Sequence, residues 1–369
     1  MSKLSFAFEP VPYAALLGWE EDDHLEALRA FIRSSSRVLA SALTSSTKTA
    51  GPSPELLAAC RAAIALPAAS FTRAEAKAFF ETRFTPHRVA HDSADGLLTG
   101  YYEPLLEGSR APGGPYEIPI YRRPPDLVNL VAESERGALA HALTHARKTA
   151  AGIEPYTTRS EIETGALEGQ GLELLWLKDP VDAFFMHIQG SGRIRFPDGE
   201  MIRITYDGKN GHPYTSIGRY LIDAGLLSAD KMSLDALKVW LKADANRGRK
   251  VMWQNASFVF FREIEGSEED SPLGVLEIPL STGRSLAVDT NFHTIGTPIY
   301  VSSPSLTHAP GQPAGFRRLM IAQDVGSAIR GPERGDVYFG SGDEAGKLAG
   351  ITKHPGTFFA LLPRVGGPS

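Results

Sequence analysis

Cysteine is nearly absent from this chain. Cys60 is the single one in 369 residues, so no intrachain disulfide can form and no zinc site with two or more thiolates can be built. Cys60 lies in Leu-Leu-Ala-Ala-Cys-Arg-Ala-Ala, the setting of a buried helix position, and reads as a structural thiol rather than a nucleophile. Long apolar runs are missing too. No window approaches the roughly 20 apolar residues of a membrane-spanning helix. Residues 1–23 hold neither the apolar core nor the cleavage site of a secretory signal. The chain therefore reads as cytoplasmic, or as a mature form whose export signal was removed. Strong charge of one sign is also lacking: 38 Lys+Arg against 43 Asp+Glu give a formal net charge of −5. That makes no electrostatic case for nucleic acid and suits a neutral or mildly cationic polymer. There is no internal repeat and no low-complexity tract.

What is present is a long chain with ordinary core-forming capacity, 42% hydrophobic and 22% charged. Its length predicts two domains. The 36 glycines and 26 prolines favour a turn-rich, β-heavy fold. The first hundred residues read as helical, with an amphipathic helix over Asp22–Leu43, a second over Pro54–Leu66, and a third after Thr72 in a capping-box pattern. Strand texture begins at Leu97–Tyr102. A helix is expected over Glu135–Ala150, and another over Thr158–Leu167, again with a capping box. Strands are expected at Glu173–Leu177, Ala183–Ile188 and Met201–Tyr206, and Tyr206-Asp-Gly-Lys reads as a hairpin turn. Helices follow at Ser216–Ala224 and Ser233–Asp244. Beyond Gln254 the chain is mostly short strands, with one helix at Asp343–Ile351. Short, turn-punctuated strands with long connections suggest a barrel rather than a doubly wound parallel sheet.

Several candidate sites carry a structural alternative. His141 and His145 are one helical turn apart but lack the Glu of His-Glu-x-x-His, so a solvated helix face is the better reading than a metal site. Asp207–Asn210 lacks the spacing of a calcium loop and reads as a plain turn. His187-Ile-Gln-Gly-Ser-Gly-Arg193 follows an apolar segment expected to be a strand, and matches neither a phosphate loop nor a nucleophile elbow. It is either a structural turn or a Gly-lined surface suited to sugar hydroxyls. Tyr101 and Tyr102 point to opposite faces of a strand, so one at most lines a given surface. Each is either a buried tyrosine with a satisfied hydroxyl or a platform for a sugar ring. Three aspartates sit at the edges of apolar runs: Asp289, Asp324 and Asp336. A carboxylate there is costly unless paired or hydrogen-bonded, so the three mark a site. The loops Asp289-Thr-Asn and Asp324-Val-Gly and their short separation argue against a two-aspartate peptidase.

Six segments taken together resemble the MltA-type lytic murein transglycosylases, whose C-terminal module is the 3D domain, named for three aspartates. They are Thr99–Pro104, His187–Arg193, Asn255–Glu263, Thr282–Asp289, Ala322–Gly331 and Asp336–Gly342, in the family's order and spanning roughly Gly18 to Leu362. The chain departs from the family pattern at Asp324-Val-Gly, where Asp-Thr-Gly is usual, and at Thr290, where proline often follows the first aspartate. The lipid-anchor cysteine of some members has no counterpart, which leaves membrane anchoring unsupported.

The resemblance implies a mainly β fold with flanking helices. Residues 1–103 and 249–369 would form a discontinuous double-psi β-barrel domain. Residues 104–248 would form an inserted smaller β-domain, with a glycan groove between the two. It implies cleavage of the β-1,4 bond between N-acetylmuramic acid and N-acetylglucosamine in peptidoglycan, with 1,6-anhydromuramoyl ends. Asp336 would be the catalytic acid and then base, while Asp324 and Asp289 support it. Thr99, Tyr101, Tyr102, Glu103, Gln189, Gly190, Ser191 and Gly192 would bind substrate. Desolvation by Val337, Tyr338 and Phe339, or a second carboxylate, would keep Asp336 protonated near neutral pH. No metal or cofactor is implied. The expected setting is a monomer in the periplasm or at the outer membrane, with peptidoglycan strands and cell-wall remodelling proteins as partners. A hydrolysing muramidase and a non-catalytic peptidoglycan-binding protein are the alternatives.

Overall fold

The computed structural model describes residues 6–44, 51–66, 71–92, 96–130, 143–264 and 271–365. The chain forms two compact units. One comprises Met1–Tyr101, Leu273–Gly340 and Thr352–Ser369, the other Tyr102–Pro272 and Ser341–Ile351. Both are mainly β with helices added.

The first unit is built on a nine-stranded sheet in the order Phe6–Pro10, Phe84–His91, Thr357–Pro363, Pro298–Ser303, Phe316–Asp324, Ser285–Val288, Arg334–Ser341, Leu97–Glu103, Lys353–Pro355. Strands adjacent in the sheet come from distant parts of the chain, which is how the ends of the sequence are drawn together. Helices His24–Thr44, Pro54–Ile64 and Arg73–Arg83 carry the apolar stripe read from the sequence. That stripe places Phe31, Cys60, Phe79 and Phe80 in one core with Tyr300, Leu319 and Ile321 of the sheet. Each such side chain contributes roughly 1.5–3 kcal/mol by leaving water. Ser53 caps the second helix with Pro54 following it, and Thr72 and Glu75 close the capping box of the third. Cys60 is buried there, and burial pushes its thiol up to about 11, as expected of a structural thiol. The buried Arg284 guanidinium donates to both oxygens of Asp22, at 3.0 and 2.9 Å, and to the Leu319 carbonyl. Asp22 in turn accepts from the Leu319 amide at 2.6 Å. Removing one partner of a buried, hydrogen-bonded pair costs about 3–5 kcal/mol.

The expectation of helices throughout the first hundred residues fails at Phe6–Pro10 and Phe84–His91, which pair as antiparallel strands. The second begins at Phe84, the C-cap of the third helix, so no loop announces it.

The second unit has a six-stranded sheet in the order Val259–Ile264, Met201–Lys209, Ser191–Arg195, Leu105–Ser109, Glu173–Leu177, Ile118–Tyr121. A three-stranded sheet of Leu127–Asn129, His145–Thr149 and Gly152–Glu154 lies beside it in sequence. Helices Pro180–Gln189, Ile217–Asp223, Leu234–Lys242 and Ala245–Met252 share one apolar cluster. Asp343–Ile351 is helical as expected. Arg159 is fully buried and donates to the carbonyls of Asn255 and Ser257 and to Glu163.

Three expectations are corrected in this unit. Ala183–Ile188 is helix, not strand: Asp179 caps Pro180–Gln189 with bonds to the amides of Val181 and Asp182. An all-round apolar run has no period that separates buried helix from buried strand. Tyr206–Lys209 is not a hairpin turn. It continues strand Met201–Lys209 through a bulge between Tyr206 and Gly208, where Gly208 has φ +154°. The helix expected over Glu135–Ala150 ends in a strand, His145–Thr149, so His145 is a buried strand residue. The rest of that segment and His141 lie outside the described residues.

Candidate active site

Sheet register brings two of the three aspartates to one place. Ala287 pairs with Asp336 on the antiparallel strand at one side and with Asp324 on the parallel strand at the other. Residues in one row across a sheet point to the same face, so both carboxyls share a face across a methyl-sized residue. Two strand spacings put their Cα atoms about 10 Å apart. A bulge makes this possible. Leu286 pairs with Ala322 but Ala287 pairs with Asp324, so Gln323 is extra. Gln323 turns to the first helix, donating to the Ala30 carbonyl at 2.9 Å and to the Ser34 hydroxyl at 2.6 Å. Simple alternation would send Asp324 to the face opposite Gln323; the extra residue re-aims it.

Asp336 is half-buried. Its Oδ1 accepts a 2.6 Å bond from the Thr99 hydroxyl, which itself accepts from Arg334 Nη2 at 2.8 Å. Arg334 Nη1 is held on the backbone carbonyls of Leu97 and Gly335. Burial pushes the Asp336 carboxyl above its ordinary value, while the charge of Arg334 and the Thr99 bond pull it back. Arg334 went unnoticed in the sequence, although it lies two residues from Asp336 on a strand and so shares its face.

Asp324 is half-buried and pushed up to about 6 by burial. Backbone amides of Val325 and Val275 oppose that rise and the charge of Asp336 adds to it. The Tyr101 ring packs on Tyr338, centroids 5.3 Å apart. Its hydroxyl is buried in the field of Asp324 and Asp336, which with burial holds its pKa high. The hydroxyl is close enough to Asp324 to depress that carboxyl, but it has no well-formed hydrogen bond; by geometry it is a near contact. The segment over Asp324 is strained: Leu276 and Glu277 have φ of 57° and 55°, uncommon for residues with a Cβ. Asp289 is different. It is buried, and its carboxylate accepts from the amide and side chain of Asn291 and from the Gly331 amide at 2.9 Å. These bonds all go to loop structure.

The remaining expected site residues belong to the second unit. Tyr102 is buried against Gly346, where a Cβ would come within 2.8 Å of its ring. Glu103 is fully buried. Arg203 binds its two oxygens at 2.6 and 3.3 Å, and Ser341 adds a 2.6 Å bond. Gln189 accepts from the Tyr102 amide. Gly190 is the left-handed C-cap of its helix, at φ 80°, and faces open space. Ser191 is buried, and Gly192 gives room to Met186, whose sulfur would lie 2.8 Å from a Cβ. In this loop Gln189 and Gly190 are partly exposed, whereas Ser191 and Gly192 are buried. Among the described residues no group of three or more His, Cys, Asp and Glu is placed to hold a metal.

Chemically, the first unit offers a carboxyl whose acidity is weakened by burial, fixed by a hydroxyl, with a second carboxyl of raised pKa on the same face. Such a group can deliver a proton and take it back.

Comparison with known proteins gives a consistent result. Residues 97–262 match the MltA specific insert domain, and residues 284–362 match the 3D domain. A membrane-bound lytic murein transglycosylase A of Vibrio cholerae is 35% identical over 269 residues, covering 72% of this chain and 65% of the relative. The match thus spans under two thirds of that relative's length. A crystal structure of a membrane-bound lytic murein transglycosylase from Agrobacterium tumefaciens superposes with a TM-score of 0.85 at 37% identity, covering 97% of this chain and 98% of the other. Escherichia coli MltA with bound chitohexaose superposes with a TM-score of 0.66 at 27% identity, covering 99% and 94%.

Proposed function

This chain belongs to the MltA family of lytic murein transglycosylases, and from that premise we propose that it cleaves the β-1,4 bond between N-acetylmuramic acid and N-acetylglucosamine in peptidoglycan. The observation that carries the reading is the register row in which Asp336 and Asp324 flank Ala287, with Asp336 held by one hydroxyl and otherwise uncommitted. Asp336 protonates the leaving glycosidic oxygen. The carboxylate so formed takes the proton of the C6 hydroxyl of muramic acid as that oxygen attacks C1. A 1,6-anhydro end results, no water is consumed, and the carboxyl is returned protonated. Ordinary glycosidases need a second carboxylate to activate water or attack the sugar. Here the substrate's own hydroxyl replaces it.

Asp324 is held by two backbone amides, is itself raised by the charge of Asp336, and shapes the surroundings of that acid. Asp289 holds the loops behind the row. On the same reading the nine-stranded sheet corresponds to a double-psi β-barrel. Binding of chitohexaose, a β-1,4 amino-sugar oligomer, by the E. coli protein supports a glycan-strand substrate. The substrate places the protein in the cell envelope; among the described residues no helix is long and apolar enough to cross a membrane.

The test is incubation with purified sacculi and mass analysis of the released muropeptides. Ends one water lighter than the hydrolysed reducing end are expected. Hydrolysed ends would instead make the protein a muramidase. Glycan binding with no product at any pH would make it a binding protein on this fold.

A further inference from the structure

Arginine donates hydrogen bonds and accepts none. Arg334 Nη2 donates to Thr99 Oγ1 at 2.8 Å, and Thr99 Oγ1 lies 2.6 Å from Asp336 Oδ1. The single hydroxyl hydrogen of Thr99 cannot point at Arg334, so it points at Oδ1. The distance is in the short range of hydroxyl bonds to a carboxylate oxygen. A proton on Oδ1 would meet that hydrogen head-on. We propose that Arg334 and Thr99 are positioning residues that occupy Oδ1 of Asp336 and leave Oδ2 as the oxygen that gives and takes the working proton.

The proposal rests on the acid–base role of Asp336. In the reaction, the Oδ2–H bond breaks as the glycosidic oxygen gains the proton and its bond to C1 opens. Oδ2 then gains the hydrogen of the C6 hydroxyl as the C6 oxygen bonds to C1. Oδ1 stays bound to Thr99 throughout, so the carboxyl does not rotate between the two steps. The charged and titratable groups around Asp336 are few. Arg334 and Tyr338 share its strand, Thr99 and Tyr101 come from Leu97–Glu103, and Asp324 ends Phe316–Asp324. The intervening strand Ser285–Val288 carries no ionisable side chain. Burial favours the protonated acid, while Arg334 and Thr99 favour the carboxylate. The relay therefore also limits how far the acid is weakened.

The test is Thr99→Val, with Thr99→Ser as rescue, on the full chain. Loss of a hydrogen bond to a charged group predicts a drop in kcat of about tenfold or more on sacculi, with KM little changed. The bond favours the charged form, so its loss raises the Asp336 pKa and moves the alkaline limb of the pH–rate profile to higher pH. Thr99→Ser restores both. Carboxyl carbon NMR titration, with the Asp336 signal assigned by Asp336→Asn, reads the same shift without turnover. Thermal melting confirms folding of each variant. A Thr99→Val protein with the wild-type carboxyl titration and pH profile overturns the proposal, as does a Thr99→Ser protein that behaves like Thr99→Val. If Asp336→Asn keeps full turnover while Thr99→Val still shifts the titration, the relay stands and the acid–base role falls.

Discussion

Glu103 is fully buried and Asp336 half-buried, in different units, and their surroundings are opposites. Glu103 is fully buried with a two-point guanidinium partner and a serine hydroxyl. Asp336 has one hydroxyl bond, and the nearby guanidinium of Arg334 hydrogen-bonds that hydroxyl rather than the carboxyl. A charge bound on both oxygens is locked in place. A charge bound on one oxygen retains a lone pair and a raised pKa, and those are the requirements for moving a proton. On the proposed reading, incomplete partnership rather than burial marks the working acid. Asp289 falls on the Glu103 side of this division and Asp324 between the two.

Carboxyl-to-amide substitutions break or sharpen the comparison. Asp336→Asn has the largest expected effect on turnover, a loss of about 10²–10⁴-fold or more. Glu103→Gln has the largest effect on stability. It leaves Arg203 buried without a counter-charge, at a cost of about 3–5 kcal/mol, measured by denaturant unfolding. Asp289→Asn turns one acceptor into a donor facing a backbone amide and costs about 1–3 kcal/mol by the same measurement.

Asp324→Asn gives the smallest and most pH-dependent effect. The folded-state pKa of Asp324 is raised to about 6, so the folded chain binds this proton more tightly than the unfolded one. The resulting stability is complete below the unfolded carboxylate pKa, near 4, and is lost as pH rises through about 6. The variant is thus expected to be more stable than wild type at pH 7 by about 1–2 kcal/mol, after allowance for partial exposure, and nearly equal at pH 4. A melting-temperature difference that does not change between those two pH values would remove Asp324 from this account.

Legibility in the sequence follows the same division. Elements with punctuation were readable: the capping boxes at Thr72 and Thr158 and the helix Asp343–Ile351 appear where expected. Pro180–Gln189 was misread because its apolar run hides its period, although Asp179-Pro180 is a usable N-terminal signal. The three aspartates stood out because charges at the edge of apolar runs are costly. What joined two of them was not local. The pairing of Ala287 with both, and the extra residue Gln323, belong to register between strands far apart in sequence. The ion pair of Glu103 was not readable because its partners, Arg203 and Ser341, are 100 and 238 residues away.

The central claim is that Asp336 is held for chemistry and not for stability. The direct measurement is the turnover of sacculi by Asp336→Asn at matched folded concentration, beside its unfolding free energy. The account predicts turnover lost and stability kept or increased, because an under-partnered, half-buried charge has been removed. Turnover retained, or a stability loss like that of Glu103→Gln, would contradict it.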